Sequence, residues 1–192
     1  MDNQNDAITV EEIKDPNGNL QKSISFKNGV PDGETKIFDE NGQLSSKLTY
    51  KDGELSGPAE FFVAGSPLMF ATFKDGKLDG EATLFSNGAK IGLANFKNGL
   101  FEGDFTSFDN LGNVIRVAAY VGGKQNGACK SFYPNGTPME DSNYNDNKLD
   151  GKVTRYFPSG NIMEISTFQA GKPYGSIDTY DEDGNLKSRR EV

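Results

Sequence analysis

Glycine recurs along this chain with a period that leaves few folds open. One series is Gly33, Gly57, Gly80, Gly103, Gly127, Gly151 and Gly175, and its members stand 23 or 24 residues apart. A second, Gly18, Gly42, Gly65, Gly88, Gly112, Gly136, Gly160 and Gly184, keeps the same rhythm. The third is Gly29, Gly53, Gly76, Gly99, Gly123, Asn147 and Gly171; Asn, its one exception, is among the residues that best tolerate a left-handed backbone. Aromatic residues keep time with them, as Phe26, Tyr50, Phe73, Phe96, Tyr120, Tyr144 and Phe168, and as Phe38, Phe62, Phe85, Phe108, Phe132, Tyr156 and Tyr180. A fixed period of this length marks a repeat array rather than one thick core.

Turn chemistry identifies the repeating element. The phrases "KDG" and "KNG" place Asp or Asn before Gly, the signal of a tight β-hairpin whose turn residues have positive φ. Leu44, Ser46, Leu48 and Tyr50 alternate with polar neighbours, the period of a half-buried strand. Hydrophobic residues are only 34% of the chain and Gly is abundant, which suits a thin structure rich in turns. The expected fold is all-β: an elongated antiparallel β-meander of about seven tandem 23–24-residue hairpin repeats over residues 15–180. Residues 1–14 are expected to supply an N-terminal cap strand, and 181–192 a partial repeat that ends the array in charge. Each buried ladder ring contributes about 1.5–3 kcal/mol, and a hairpin alone would not be stable.

With 28 acidic and 20 basic residues the formal charge is −8, so phosphate backbones and anionic bilayers are poor partners. There is no histidine and one cysteine, Cys129, which removes His-based triads, zinc clusters and an internal disulfide. The stretch "MDNQNDAITV" has no basic region followed by an apolar one. The expected location is the cytoplasm, with export or envelope association the alternative if a signal once preceded this start.

The phrases "YKDGELSGPAEFFVAG", "YNDNKLDGKVTRYFPSG" and "FQAGKPYGSIDTYDEDG" resemble the MORN-repeat variant. A whole chain of such phrases resembles the YwqK-type bacterial antitoxin family. That resemblance implies a protein that binds and neutralises a toxin, although no motif residue carries such an activity. The stretch "VAGSPLMF" departs from the pattern, having no Asn before Gly65 and Pro67 inside a strand, and an irregularity is expected there.

Candidate chemistry is sparse. Asp32, Asp79, Glu102 and Asp150 share one register position before the closing glycine, as an acidic stripe or as turn residues. The phrases "DPNGN", "DENGQ" and "DEDGN" lack the full calcium-loop set and read as turns. Cys129 is in register with Ala59, Ala82 and Val153, a small core position. No catalytic, cofactor or metal residues are assigned. Of the aromatics off the ladders, Phe61, Phe70, Phe105 and Tyr174 have no repeat role. Phe61, Phe70 and Phe105, near Glu60, Glu81, Glu102 and Asp104, form the candidate partner-binding patch. The competing reading makes Phe61 and Phe105 a second layer of core rings.

These observations predict a non-enzymatic protein-binding repeat protein, an antitoxin or immunity protein that covers a basic toxin. The alternative is a structural or cell-envelope scaffold module.

Overall fold

The computed structural model describes residues 7–192, so the part of the expected cap strand at 1–6 lies outside the described residues. All described elements are β-strands, and every strand pair is antiparallel. No helix occurs among the described residues. The chain divides into two compact units, Met1–Ala89 with Phe96–Gly99, and Lys90–Asn95 with Leu100–Val192.

The first unit runs through β1 (Ile8–Lys14), β2 (Leu20–Lys27), β3 (Val30–Phe38), β4 (Leu44–Lys51), β5 (Glu54–Val63), β6 (Ser66–Lys74) and β7 (Lys77–Ser86). Each pairs with the next in sequence. Strand β8 (Ala89–Lys97) carries residues of both units. The second unit continues through β9 (Leu100–Phe101), β10 (Gly103–Phe108), β11 (Val114–Val121), β12 (Lys124–Phe132), β13 (Pro138–Asn145), β14 (Lys148–Leu149) and β15 (Gly151–Tyr156). It ends with β16 (Ile162–Gln169), β17 (Lys172–Pro173), β18 (Ser176–Tyr180) and β19 (Leu186–Glu191). Each unit is a meander of hairpins, the architecture that the glycine period predicts.

One end of every hairpin is a tight turn with positive φ at both central residues, as at Asp52 (50°) and Gly53 (87°) or Asp75 (48°) and Gly76 (74°). These turns are tied in series. The Gly53 N–H donates to the Pro31 carbonyl at 2.8 Å, Gly76 to Leu55 at 2.9 Å and Gly99 to Leu78 at 2.7 Å. In the second unit Gly123 donates to Phe101 at 2.8 Å, Asn147 to Gln125 at 2.9 Å and Gly171 to Leu149 at 2.8 Å. The third glycine series therefore serves the turn and its bond to the hairpin before it.

At the other end the turns are of two kinds, and this explains the 23/24 alternation. In "DENGQ" the Asp39 carboxylate accepts from the Asn41 and Gln43 amides at 2.9 and 2.8 Å, so five residues separate Phe38 from Leu44. In "VAGS" the ladder closes to Val63↔Ser66 around Ala64 (φ 48°) and Gly65 (φ 74°), and only four residues separate Phe62 from Pro67. Ser86–Ala89 is equally short, with Asn87 at φ 49°. The register shift expected near Pro67 is present between Phe61 and Phe62, but it recurs at Ile37/Phe38, Ser107/Phe108 and Arg155/Tyr156. It belongs to the repeat, whereas the shortened turn is shared with Ser86–Ala89 alone among the described residues.

The core of each unit is a row of mostly small residues. Cross-strand pairing aligns Thr35, Leu48, Ala59, Ala71 and Ala82 in the first unit, and Ala118, Cys129, Ser142, Val153 and Ser166 in the second. All of these are buried. Small side chains let taller neighbours on the same face lean over them, so a single sheet acquires a covered interior. Cys129 is one of this row, as its register implied. The closing glycines lie at a second shift in each hairpin, between Leu48 and Tyr50 for example. There Gly57 has φ 121°, and a Cβ on it would stand 3.1 Å from Thr49 Cβ.

Candidate functional site

Strand alternation sorts side chains onto two faces, and the seven candidate residues do not share one. Phe61 pairs with Met69 and Ser46 on the face of the small core row, and its ring lies 6.3 Å from that of Phe73. Phe105 pairs with Ala118 in the row itself, where the first unit has Ala59 and Ala82. Its ring meets Phe101 at 5.8 Å and Tyr120 at 6.5 Å. Both are half-buried members of ring clusters, as the core-layer reading expected. The seven residues therefore lie on two faces: Phe61 faces away from its chain neighbour Glu60, and Phe105 from Asp104.

Glu60, Phe70 and Glu81 do come together, on the opposite face of the first unit. Glu60 stands directly across from Phe70, Thr83 flanks Phe70 on the other side, and Glu81 follows at the next position of β7 on that face. Pro58, Thr72 and Thr83 help line a shallow depression of about 270 Å³ between them. Phe70 is 36% exposed, and its ring lies 4.8 Å from Phe85 and 5.9 Å from Phe62. Phe62 and Phe85 are ladder residues, so their repeat role concealed their part in this platform. Asp104 lies on the corresponding face of the second unit, opposite Ala119. Tyr174 stays exposed.

Most other carboxylates are engaged in structure. Glu102 accepts a hydrogen bond from the Gly122 amide at 2.9 Å, and Asp32, Asp79 and Asp150 accept from the amides of Asp52, Asn98 and Ala170 at 3.1–3.2 Å. The acidic stripe is a set of staples, each reaching the turn of the following hairpin. Asp15, Asp109 and Asp181 close turns, and Asn19, Asn113 and Asn185 hold their carboxyls below the usual carboxylate range. No group of three acidic or Cys side chains is placed to hold a metal among the described residues.

A polar cluster that the sequence reading did not single out lies over the small row in the second unit. Arg116 donates from Nε to Cys129 Sγ at 3.3 Å and from a terminal nitrogen to Gln125 Oε1 at 3.3 Å. Arg155 bridges Glu140 at 3.0 Å and Glu164 at 3.1 Å. On the opposite face, burial pushes the Tyr156 phenol up, helped by Asp141, whose carboxylate accepts its hydrogen bond at 3.2 Å. The signal was available: Arg155 is in register with Phe61 and Leu84, and Arg116 with Met69. A charged residue in an apolar column needs a partner.

Residues 10–28, 31–52, 125–146 and 149–170 match the MORN repeat variant, which supports the MORN-repeat reading and fits a repeat-based protein-binding or scaffold role. No curated protein matches the chain.

Proposed function

We propose that this chain is a non-enzymatic protein-binding module for a basic partner, and that it acts as an antitoxin or immunity protein by covering a cationic toxin. The observation that carries this reading is the division of labour among its carboxylates. Four are bound to turns of neighbouring hairpins and others close their own turns, while Glu60 and Glu81 flank an exposed ring with no ion pair among the described residues. A net charge of −8 favours a cationic protein and speeds its capture at low salt. The tagged full chain should recover one basic protein in near-stoichiometric amount from the cell that makes it, less as salt rises. Co-expression should relieve that protein's toxicity. Recovery of only this chain, or of envelope components, would replace the antitoxin reading with the scaffold one, which the repeat architecture supports equally well.

A further inference from the structure

We infer that the Phe62–Phe70–Phe85 platform of the first unit is the docking surface, and that it seats an arginine of a basic protein with its guanidinium between Glu60 and Glu81. The inference rests on the protein-binding reading and adds to it the face, the unit and the side chain recognised.

Phe70 is out of keeping with its register. The equivalent positions in the other strands hold Ser23, Lys47, Leu93, Val117, Asp141 and Ile165, none of them aromatic. The repeat does not need a ring there, yet the ring is kept 36% exposed against two ladder rings. It lies on the strand that follows the shortened Ala64–Gly65 turn, with Leu68 exposed on the same strand and Val63 at the turn. Lys47, directly across from Glu60 on the side away from Phe70, is bridged to Glu34 at 3.2 Å and is also attracted by Glu60, which leaves the Phe70 side of Glu60 facing the depression.

The chemistry of the depression selects its occupant. A purely apolar side chain would strip water from Glu60 and Glu81 without pairing them, and an acidic one would be repelled. A guanidinium stacks on an aromatic face, offers forked donors to carboxylates, and brings an apolar stem to lie along the rings. The second unit shows the principle at work: Lys90 Nζ lies 4.2 Å from the ring centre of Phe108, a ring of the same ladder as Phe62 and Phe85.

The test titrates the full-length protein with tetra-arginine and with tetra-citrulline, its uncharged isostere, while following the aromatic NMR signals. Tetra-arginine should shift the Phe70 and Phe85 rings, and tetra-citrulline should leave them in place. Phe70→Leu, which keeps an apolar side chain, should weaken binding about three- to fivefold. Glu60→Gln with Glu81→Gln should weaken it by a similar factor, and this pair carries the test if Phe70→Leu perturbs the fold. Shifts spread evenly over the acidic surface and unchanged in either variant would overturn the assignment. A basic protein captured equally well by the Phe70→Leu chain would also overturn it, leaving the binding function intact at another surface. Tetra-arginine seated at Phe70, with no basic protein recovered from cells, would uphold the site and remove the antitoxin role.

Discussion

Each unit has its own row of small buried residues, and the two rows are covered with opposite chemistry. In the first, the row beside Leu48, Ala59, Ala71 and Ala82 is Ile37, Ser46, Phe61, Met69 and Leu84. In the second, the row beside Ala118, Cys129, Ser142, Val153 and Ser166 is Ser107, Arg116, Ser131, Glu140, Arg155 and Glu164. The strand pairing, the positive-φ turns and the small row are alike, so the covering layer is not what the repeat specifies. An apolar cover stabilises through burial. A charged cover contributes little net energy, because the pairs that replace burial remain partly in water; the Arg155 side chain is 43% exposed.

The largest expected effect tests what the units share. Gly57→Ala puts a Cβ against Thr49 at a φ that L-residues rarely adopt, and should cost about 3 kcal/mol by chemical denaturation. Gly151→Ala has the same backbone, but its nearest neighbour is Asn143 Cβ at 3.8 Å, and should cost about half as much. Equal losses would show that backbone strain alone sets the requirement.

The next pair separates the covers. Phe61→Ala should cost about 2 kcal/mol, less than a fully buried ring because Phe61 is only half-buried. Arg155→Met leaves Glu140 and Glu164 without their shared cation yet keeps the apolar stem, and should cost about 1 kcal/mol. Raised salt should narrow the Arg155 difference and leave that of Phe61 unchanged. If Phe61→Ala proves neutral, the ring is not core and the comparison fails.

Acid should act on both units. Asp178, lowered by its bond to Arg189, and Asp109 and Asp181, lowered by Asn113 and Asn185, all lie in the second; Asp15 and Glu34 are lowered in the first. A depressed folded pKa gives stability that is complete above the unfolded value, near pH 4, and lost as pH falls through the folded one. Amide exchange should show protection constant above about pH 5 and declining below about pH 4 in both units. The smallest effect is that of Asp79→Ala and Asp150→Ala, each removing one exposed staple at about 0.5 kcal/mol.

Backbone features were the legible ones, because turns and close approaches restrict residue type strongly. Glycine, Asn or Asp at φ > 0 announced every hairpin, and the small register around Cys129 announced the core. The candidate patch was half legible. Phe61, Phe70 and Phe105 stood out as departures from the period, but a departure does not say which face it serves. Glu60 and Phe61 are adjacent in sequence and point to opposite sides, so proximity along the chain joined what the strand separates. Phe62 and Phe85 were hidden by serving the repeat and the platform at once.

The bond from each turn to the hairpin before it has a consequence for how such a chain changes over time. Its acceptor is a main-chain carbonyl, contributed by Pro31, Leu55, Leu78, Phe101, Gln125 and Leu149 alike. A junction that makes no demand on side-chain identity survives the duplication or loss of a whole hairpin without a new interface having to be invented. Length in such an array is free to drift, while selection acts on the few positions, such as Phe70, that the periodic scaffold leaves uncommitted.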